Sequence, residues 1–409
     1  MKVKCRNCSH TLEQNFLDLG FAPVSNGYLT TESLDKVEKY FPLKVMVCSN
    51  CWLVQTLDFV SRDELFRDDY AYFSGTSSIW RKHVSDYADH IISDLNLGKN
   101  SFVIEIASND GSLLENFKIK NIPCLGIEPT ASTALVAEQK GIHVLREFFS
   151  ENLAKNLSKE GHQADLIVGN NVYAHVPDIN DFTMGIKSIL KPEGVVTIEF
   201  PHLLKLIKNA QFDTVYHEHY SYLSLFVVKK IFEKARLRIW DVEEISTHGG
   251  SLRIYGCHKN STRSNSDSIE KILTKEQQNG LLEMKTYTSF QKKADKVKND
   301  LLMFLLNQKK IGKIVVGYGA AAKGSTLLNY SGIKPDLLPF IVDASLSKQN
   351  KFMPGSHIPI VAPEKLLLAD FDFVLILPWN IAKEIKAENR LLLEKGKVFV
   401  SAIPEISIV

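Results

Sequence analysis

Short apolar runs alternate with longer, partly polar segments through the middle of the chain. The runs are Phe102–Ile106, Cys124–Ile127, His143–Leu145, Asp165–Gly169 and Val195–Glu199. Their length and composition are typical of buried strands, and the segments between them are long enough to hold helices. This alternation predicts an α/β protein with a doubly wound, mainly parallel sheet. In such sheets ligands bind at the carboxyl ends of the strands.

Helical periodicity flanks this region on both sides. Between Trp80 and Leu95 apolar residues recur every three or four positions, and Ser77 and Ser78 precede them. A serine at this place accepts a hydrogen bond from a free N–H group at the helix start, so we expect a capped helix. Beyond the polar, turn-rich stretch Lys259–Asp267, the segment Leu281–Gln308 predicts a long helix that links two units.

The last third of the chain repeats the alternation of strands and helices. Strands are predicted at Ile311–Val316, Phe340–Asp343 and Phe371–Pro378. The small residues of Gly317–Ser325 end the first of these strands and open a helix, which directs backbone N–H groups towards an anion. Close packing of a helix on a sheet in a purely structural unit explains the same glycines. We therefore predict a second, Rossmann-like α/β unit with a candidate anion site.

Composition and charge restrict the classes of function. The 409 residues are 44% hydrophobic and 23% charged, as in globular proteins of two to three domains. A net charge of +2 with mixed signs gives no strong attraction to nucleic acid or to an anionic membrane. No apolar run reaches the roughly 18 residues of a membrane span. Met1–Cys5 lacks the apolar core of a signal peptide. We expect a cytoplasmic protein with reduced thiols and with neither nucleic acid nor membrane as a partner.

Four of the six cysteines form two Cys-x-x-Cys pairs, Cys5 with Cys8 and Cys48 with Cys51. In a reducing compartment this pattern favours a tetrahedral zinc site of four thiolates over two disulfides. Four thiolates leave no open position for a substrate, so the metal is predicted to be structural. The 39 residues between the pairs predict a loop or a hairpin arm that grows out of the zinc ribbon.

Polar residues stand at the carboxyl ends of three predicted strands of the middle region. Glu105 lies in the first strand and the turn Ala107–Ser112 follows it, Glu128 ends the second strand, and Asn170 and Asn171 end the fourth. Glu128 lies 17 residues after Gly111, where a carboxylate accepts hydrogen bonds from ribose hydroxyls. The first turn lacks the pattern Gly-x-Gly-x-x-Gly, so a pyrophosphate on the helix N-terminus is not expected. The pattern favours a nucleoside ligand.

The first turn resembles the first motif of class I S-adenosylmethionine methyltransferases, which reads acidic-x-Gly-x-Gly-x-Gly. Here the motif reads Glu105-x-Ala107-x-Asn109-x-Gly111, so Ala107 and Asn109 depart from the common glycines. The resemblance implies S-adenosylmethionine as the cofactor. The candidate cofactor-binding residues are Glu105, Ala107, Asn109, Gly111, Leu113, Glu128, Asn170 and Asn171.

The stretch Asp213–Leu223 concentrates two histidines, one glutamate and three tyrosines in eleven residues. These side chains hold or move protons and donate hydrogen bonds to an oxyanion, so the stretch predicts a proton-transfer site. A polar, aromatic surface loop is the alternative. In an extended segment His217 and His219 face one side and Glu218 faces the other, so either histidine could be the base. A metal pair of the two histidines lacks further ligands in the sequence.

Six segments that contain these motifs follow one another in a fixed order. They are Ile104–Leu114, Gly126–Pro129, Asn170–Asp178, Phe212–Leu225, Thr247–Arg253 and Gly317–Asn329. With the four-cysteine ribbon they resemble the nucleotide-sugar C-methyltransferase family, along essentially the whole chain. Members of that family use S-adenosylmethionine to methylate C3 of a deoxysugar that carries a 4-ketone and a nucleotide diphosphate.

The resemblance implies three units. Residues 1–70 would form the zinc-binding domain, residues 71–265 the class I methyltransferase domain, and residues 266–409 a Rossmann-like domain that begins with the linking helix. The implied cofactors are S-adenosylmethionine and a structural zinc ion. The implied partner is a nucleotide-diphosphate 4-keto-deoxysugar.

The resemblance also implies catalytic roles. His219 would be the base that removes the C3 proton, and Tyr216 and Glu218 would line the sugar site. His175 would bind the sugar by a hydrogen bond or assist proton transfer. Tyr70 would reach the site from the N-terminal segment. A ketone next to the reacting carbon makes its proton acidic, and the resulting enolate needs hydrogen-bond donors at its oxygen.

Further residues are candidates for substrate binding. Tyr72 belongs to an aromatic segment that either covers a ligand or joins the zinc ribbon to the next helix. Lys323 would add positive charge to the anion site of the last unit, where the nucleotide diphosphate would bind. Asp343 ends a strand, where it suits a ribose or caps the neighbouring turn. The full set of candidates is Tyr72, Tyr222, Lys323, Ser325 and Asp343.

Two other functions are compatible with parts of the pattern. Zinc modules of four cysteines often accompany RNA methyltransferases, although the near-neutral charge disfavours RNA. The departures at Ala107 and Asn109 would suit a non-catalytic protein that binds a nucleotide sugar. The residues do not distinguish the nucleotide carrier, the stereochemistry at C3 or the oligomeric state.

Overall fold

The computed structural model describes residues 3–61, 65 and 73–409 of the chain. In this part, the chain forms three sheets. Among its helices none combines the length and the apolar character that a membrane crossing requires.

The bounds of the regular elements are as follows. The strands are β1 Gln14–Ala22, β2 Phe41–Val47, β3 Val54–Thr56, β4 Val103–Ile106, β5 Cys124–Ile127, β6 Val144–Leu145, β7 Ala164–Asn170, β8 Leu190–Pro201, β9 Ser221–Tyr222, β10 Leu237–Ile245, β11 Ser251–His258, β12 Val315–Tyr318, β13 Ile341–Val342, β14 Ile360–Val361, β15 Phe373–Ile376, β16 Val398–Ser401 and β17 Ser407–Ile408. The helices are α1 Ser78–Asp94, α2 Leu114–Ile119, α3 Ala131–Gln139, α4 Glu151–Lys159, α5 Ile179–Ile189, α6 Leu203–Lys208, α7 Leu225–Lys234, α8 Ser268–Gln278, α9 Met284–Thr288, α10 Phe290–Lys310, α11 Ala322–Ser331, α12 Lys365–Leu368, α13 Ala382–Glu388 and α14 Arg390–Glu394.

The central sheet has the strand order β10-β11-β8-β7-β4-β5-β6. Strands β4 to β8 run parallel, and the hairpin β10–β11 joins them antiparallel at one edge. Strands β4 and β7 are neighbours although β5 and β6 separate them in the chain, so the direction of winding reverses between them. Ligands bind outside the carboxyl ends of strands at such a reversal. The predicted doubly wound α/β fold is confirmed.

The C-terminal sheet has the order β14-β13-β12-β15-β16-β17, and its first five strands in this order run parallel. Strand β17 closes the far edge antiparallel to β16. The winding reverses between β12 and β15, as it does between β4 and β7 in the central sheet. The predicted second Rossmann-like unit is therefore confirmed.

The N-terminal sheet has the order β1-β2-β3-β9. Strands β1 and β2 both lie between the two cysteine pairs in the chain, and they pair antiparallel. The predicted hairpin arm is therefore confirmed. Strand β9 belongs to the stretch rich in histidine and tyrosine, and its residue Tyr222 pairs with Val54 of β3. The zinc-binding unit therefore holds a segment that lies more than 160 residues further along the chain.

Burial follows the predicted apolar pattern. All four residues of β4 are buried, as expected for a central strand covered on both faces. Helix α1 buries Val84, Tyr87 and Ile91 on one stripe, and the hydroxyl of Ser77 accepts a hydrogen bond from the backbone N–H of Trp80 at 3.2 Å. The predicted capped helix is thus confirmed, and it covers one face of the central sheet.

Two sequence-based bounds in the linking region are wrong. The predicted helix Leu281–Gln308 is two helices, α9 and α10, because the side chains of Thr288 and Ser289 bond to backbone carbonyls and compete with the helical hydrogen bonds. The strand predicted from Ile311 begins only at Val315. Gly312 has a φ of +76°, which ends helix α10 in a turn before the strand can start.

Candidate active site

A cavity of about 430 Å³ lies at the carboxyl ends of the central strands. It is bordered by residues of every unit, for example Asn26 of the N-terminal hairpin, Glu105 of β4, His248 of the β10–β11 hairpin and Lys323 of the C-terminal unit. The histidine- and tyrosine-rich stretch contributes His219 to the same wall. The cavity is therefore assembled from segments that are far apart in sequence.

Most of the predicted cofactor-binding residues border this cavity. They are Glu105, Ala107, Asn109, Leu113, Glu128, Asn170 and Asn171. Gly111 lies behind the turn instead, where a Cβ atom would meet Ile142 Cδ1 at 2.4 Å and Ala137 Cβ at 2.9 Å. The turn thus packs against helix α3 through its glycine and presents its other residues to the cavity.

The backbone of the first turn explains the departures from the glycine motif. Ala107, Asn109 and Gly111 have φ values of +59°, +49° and +73°, so all three motif positions lie in the left-handed region. Glycine adopts this conformation freely, and asparagine tolerates it better than most residues. Ala107 and Asn109 therefore keep the backbone path that glycine gives the common motif, and the turn is not disrupted by the substitutions.

Replacing Gly111 with alanine is expected to destabilise the protein. The new methyl group would overpack the contact with helix α3, at about 1–3 kcal/mol, and place a Cβ in the left-handed region, at about 1–2 kcal/mol. Urea unfolding should show a lower midpoint. Ala107→Gly is the matched control at the same motif, since it relieves a left-handed alanine, and its midpoint should stay the same or rise. Equal losses for both variants would contradict this account.

Several buried polar atoms at the cavity have no hydrogen-bond partner among the described residues. They are Glu105 Oε2, Ser108 Oγ, both side-chain polar atoms of Asn170, and Asn171 Oδ1. Such atoms are rare inside proteins and indicate a site that a ligand or water completes. The donor set fits a nucleoside linked to an amino acid, as in S-adenosylmethionine, since it offers carboxyl, amide and hydroxyl groups.

Two glutamates give the cofactor side of the cavity its electrostatics. Glu128 accepts hydrogen bonds from the backbone N–H groups of Asn109 and Thr130, both at 2.9 Å, so its carboxylate is fixed at the end of β5. Burial and the nearby carboxylates of Asp110 and Glu128 hold the pKa of Glu105 well above its usual value. Burial and these charges thus disfavour ionisation of Glu105, whereas the Glu128 carboxyl group is oriented by its two donors.

The turn at residues 217–218 decides which side chains of the proton-handling stretch enter the cavity. The backbone N–H of His219 donates to the carbonyl of Tyr216 at 3.0 Å, so the segment is not extended. Tyr216, Glu218 and His219 all border the cavity. The expected alternation of faces is wrong here, because a turn and not a strand carries these residues.

His217 lies outside the cavity wall and packs edge-on against the Phe41 ring of β2, with ring centroids 6.0 Å apart. His219, in contrast, is oriented for chemistry. Its Nδ1 lies 2.8 Å from the carbonyl oxygen of Thr214, which can only accept, so Nδ1 carries the ring proton. The Nε2 atom of neutral His219 therefore holds a free electron pair, as a general base requires.

A second histidine lies against His219. The ring centroids of His175 and His219 are 4.6 Å apart, and the Tyr216 ring is 4.0 Å from His219. Burial lowers the pKa of His175 to about 4, and burial together with His175 lowers the pKa of His219 well below its usual value. Both imidazoles are therefore neutral near pH 7.

Glu218 is held by the N-terminal hairpin arm. Asn26 donates a hydrogen bond from Nδ2 to Glu218 Oε1 at 2.8 Å, and both residues border the cavity. Sequence reasoning missed Asn26, since an asparagine between two strands carries no chemical signature of its own.

Lys323 enters the cavity from the start of helix α11. Its Nζ donates to Asn380 Oδ1 at 2.6 Å and lies 4.7 Å from the centre of the Trp379 ring. The Trp379 indole N–H in turn donates to Asp213 Oδ2 at 2.7 Å. Burial lowers the pKa of Lys323, but the Asp213 carboxylate opposes this effect. The Lys323 ammonium group is thus held by Asn380 and Trp379, and the residue borders the shared cavity.

Three further predicted substrate residues, all within the described part of the chain, do not border the cavity. Ser325 is buried and its Oγ accepts from Asn329 Nδ2 at 3.2 Å. Asp343 caps the glycine-rich turn, since its Oδ2 accepts from the backbone N–H of Ala320 at 2.7 Å. Tyr222 is buried in strand β9, with its ring 6.1 Å from that of His219. The two remaining predicted residues, Tyr70 and Tyr72, lie outside the described residues.

His248 and Lys348 also border the cavity and were not predicted as site residues. His248 lies in the segment Thr247–Arg253, which the sequence marks only through its place among the motifs. Lys348 Nζ donates to the carbonyl of Ala320 at 3.0 Å and forms an ion pair with Asp343 at 3.5 Å. No local pattern distinguishes this lysine from the many on the surface.

The four predicted zinc ligands converge. All four sulfur atoms lie within 4.8 Å of one another, with 3.6 Å between Cys5 and Cys51 and 3.5 Å between Cys8 and Cys48. Four thiolates about 2.3 Å from a tetrahedral zinc ion are about 3.8 Å apart, so the cluster fits the metal. The distances exceed a disulfide bond of about 2.05 Å. The zinc interpretation is supported over the disulfide alternative.

Family models match most of the chain. A zinc binding domain matches residues 5–66, a methyltransferase domain matches residues 80–242, and a C-methyltransferase C-terminal domain matches residues 246–404. These three ranges follow the order of the three sheets.

Individual proteins are also similar. The C-methyltransferase NovU of Streptomyces niveus is 32% identical over 402 residues, which are 98% of this chain and 96% of NovU. The solved structure of protein PH0226 from Pyrococcus horikoshii OT3 covers 46% of this chain and 95% of its own at 13% identity, with a TM-score of 0.39. Magnesium protoporphyrin IX methyltransferase of Synechocystis PCC 6803 with bound SAM covers 44% and 79% at 14% identity, with a TM-score of 0.34.

Proposed function

The chain belongs to the C-methyltransferase family with an N-terminal zinc-binding domain, and we propose that its substrate is a nucleotide-linked 4-keto-deoxysugar that it methylates at C3. The enzyme is a C-methyltransferase that depends on S-adenosylmethionine and carries a structural zinc ion. The product would be a branched deoxysugar. One observation supports the proposal above all others: a histidine with a free Nε2 shares a cavity with the predicted cofactor residues.

The cofactor side of the cavity would be formed by the ends of β4, β5 and β7. When bound, S-adenosylmethionine supplies an electrophilic methyl group. Glu128 would accept hydrogen bonds from the ribose, since its oxygens face the cavity end of β5 and keep free electron pairs. The unpaired polar atoms of Glu105 and Asn170 would complete the contacts to the rest of the cofactor.

Methylation at carbon requires a base because a C–H carbon is not nucleophilic. The ketone at C4 would acidify the proton on C3, and His219 Nε2 would accept that proton. The electron pair of the C–H bond would move to the ketone oxygen as an enolate. The enolate carbon would then form a bond to the methyl carbon of S-adenosylmethionine while the bond from that carbon to sulfur breaks, which would release S-adenosylhomocysteine and re-form the ketone. His175 and Tyr216 border the same wall and would hold the sugar ring against His219.

The C-terminal unit would bind the nucleotide diphosphate. Lys323 brings a positive charge into the cavity, and Lys348 borders it on the same side. The Asp343 side chain fixes the glycine-rich turn and pairs with Lys348. We propose domain boundaries near residues 70 and 265, since β11 ends at His258 within the central sheet and α8 begins at Ser268.

Incubation of the enzyme with S-adenosylmethionine and a panel of nucleotide-linked 4-keto-deoxysugars tests the substrate class. We expect a product that is heavier by one methyl group, with the new carbon attached to C3 in the NMR spectrum. The panel should include thymidine, guanosine and cytidine diphosphate carriers. If the enzyme methylates none of these sugars, the proposed substrate is wrong. Salt-dependent methylation of RNA would instead identify the protein as an RNA methyltransferase.

A further inference from the structure

His248 lies on the loop between β10 and β11 and is held in an uncommon backbone conformation. Its φ is +54°, which costs an ordinary residue about 1–2 kcal/mol. The following residue, Gly249, is held in place by two contacts. Gln211 Nε2 donates to its carbonyl at 3.0 Å, and the Trp379 ring packs so closely that a Cβ on Gly249 would lie 2.2 Å from it. Strained residues that the surroundings hold in place concentrate at functional sites.

One ring nitrogen of His248 is already used. Its Nε2 lies 3.0 Å from Asn171 Nδ2, and both residues border the cavity. The other polar atom of the Asn171 amide, Oδ1, is buried and has no hydrogen-bond partner among the described residues. Burying a lone carbonyl oxygen costs less than burying an NH₂ group with two donors, which favours Nδ2 as the atom that faces His248. Asn171 therefore donates, and Nε2 of His248 accepts.

This hydrogen bond determines the tautomer of His248. Burial lowers the pKa of the imidazole to about 4, so the ring is neutral near pH 7. A neutral ring that accepts at Nε2 carries its proton on Nδ1. No described residue forms a hydrogen bond with Nδ1. His248 thus presents an unused N–H donor at the wall of the cavity that His219 and Lys323 also border.

We propose that His248 is a catalytic residue whose Nδ1–H donates a hydrogen bond to the enolate oxygen of the substrate. The proposal rests on the proposed keto-sugar reaction. The C3 proton passes to His219 Nε2, the electron pair moves to the ketone oxygen, and the His248 N–H stabilises that oxygen without giving up its proton. Asn171 acts as a positioning residue, since it selects the tautomer that leaves Nδ1–H free.

The fixed geometry is what makes this donor effective. A donor aimed at developing charge in a water-poor site contributes about 10²–10³ to the rate, because it need not reorient during the reaction. Clamping by Gln211 and Trp379 supplies that rigidity here. The Lys323 ammonium borders the same cavity, so the enolate would form in a positive field.

Two substitutions separate the donor role from a structural one. In His248→Asn the side-chain amide can place an N–H close to the position of Nδ1, and asparagine tolerates a positive φ. In His248→Gln the amide lies near the position of Nε2, where it can keep the contact with Asn171. His248→Ala offers neither group. If Nδ1–H is the catalytic donor, asparagine should preserve far more activity than glutamine or alanine.

The measurement is exchange of the substrate C3 proton with deuterium from solvent, with S-adenosylhomocysteine in place of the methyl donor. Exchange reports enolate formation alone. We expect a loss of about 10²–10³ for glutamine and alanine and a loss of less than about tenfold for asparagine. Cofactor affinity, measured by calorimetry, should change by less than about threefold in all three. Thermal unfolding checks that each variant is folded. If the His248→Gln variant has a lower unfolding midpoint than the unaltered enzyme, the His248→Asn variant is compared with His248→Ala instead.

The outcomes are distinct. Full exchange in the alanine variant, or rescue by glutamine and not by asparagine, would overturn the donor role of His248 and leave the proposed function intact. Absence of exchange and of methylation in the unaltered enzyme, across the whole substrate panel, would instead overturn the proposed function.

Discussion

Replacing His219 with glutamine is expected to lower the rate of C-methylation by about 10²–10⁴, the usual contribution of a general base. Glutamine keeps the approximate size of the side chain but has no electron pair on nitrogen that can accept a proton. Deuterium exchange at the reacting carbon should fall by a similar factor, because both reactions need the same deprotonation. Mass spectrometry of the substrate measures the exchange, and a radiolabelled methyl donor measures the transfer.

His217→Gln is the matched control for this experiment. The residue lies in the same stretch and is also buried, but it packs against Phe41 and does not border the cavity. It should retain most of both activities. A His217 variant as inactive as the His219 variant would contradict the assignment of the base, and so would a His219 variant with normal exchange.

The pH profile gives an independent check on His219. Burial and the neighbouring His175 lower its pKa well below 6.5, so the basic form persists as the pH falls through that value. The acid limb of kcat/KM, which reports the free enzyme, should therefore lie below pH 6.5. The prediction is wrong if the acid limb lies at or above pH 6.5 and only the His219→Gln substitution removes it. The pKa of His219 would then not be lowered, contrary to its burial in the site.

Removal of zinc is expected to abolish activity although the metal touches no substrate. Binding of structural zinc contributes about 10–16 kcal/mol in small zinc domains, so the N-terminal unit should unfold without it. The connection to the active site is direct. Gln55 Nε2 donates to Cys5 Sγ at 3.2 Å, and Gln55 pairs with Ser221 of β9 in the next strand.

Two more contacts connect the zinc-binding unit to residues of the cavity wall. The hydroxyl of Thr56 donates to the backbone carbonyl of His219, and Asn26 holds the Glu218 carboxylate. An unfolded zinc unit would release both, so the base and its neighbours would lose their fixed positions. We expect Cys48→Ser to contain less than one zinc ion per chain, to lose the N-terminal fold and to reduce methylation by at least about 10²-fold.

Cys124→Ser supplies the control, because Cys124 lies outside the four-sulfur cluster and at the start of β5. It should keep its zinc and its activity. Metal analysis, circular dichroism and the methylation assay together make the test. An apoprotein that methylates at the normal rate would show that the zinc unit does not position the active site.

The first turn shows how far local pattern reasoning reaches. The spacing of Glu105, Gly111 and Glu128 predicts a cofactor site, and the structure brings their segments together at one sheet edge. Ala107 and Asn109 look like departures from the motif in the sequence. Their positive φ values show that the turn keeps its path, which no residue pattern reveals because alanine rarely adopts that conformation.

The stretch rich in histidine and tyrosine shows where pattern reasoning stops. Its composition predicts proton transfer, but the distinction between His217 and His219 depends on a turn and on what packs beside each ring. The same holds for His248, Asn26 and Lys348, which reach the cavity from three other segments.

The sequence by itself determined the α/β class, the four-cysteine cluster and the candidate cofactor turn, because strand periodicity, cysteine spacing and side-chain type are local properties. Only the tertiary structure decided that His219 shares a cavity with the predicted cofactor residues, that Asn26 donates to Glu218, and that His248 Nδ1 has no partner among the described residues. These facts depend on contacts between residues more than 70 positions apart. Such contacts are set by the packing of whole units, and no local spacing encodes them.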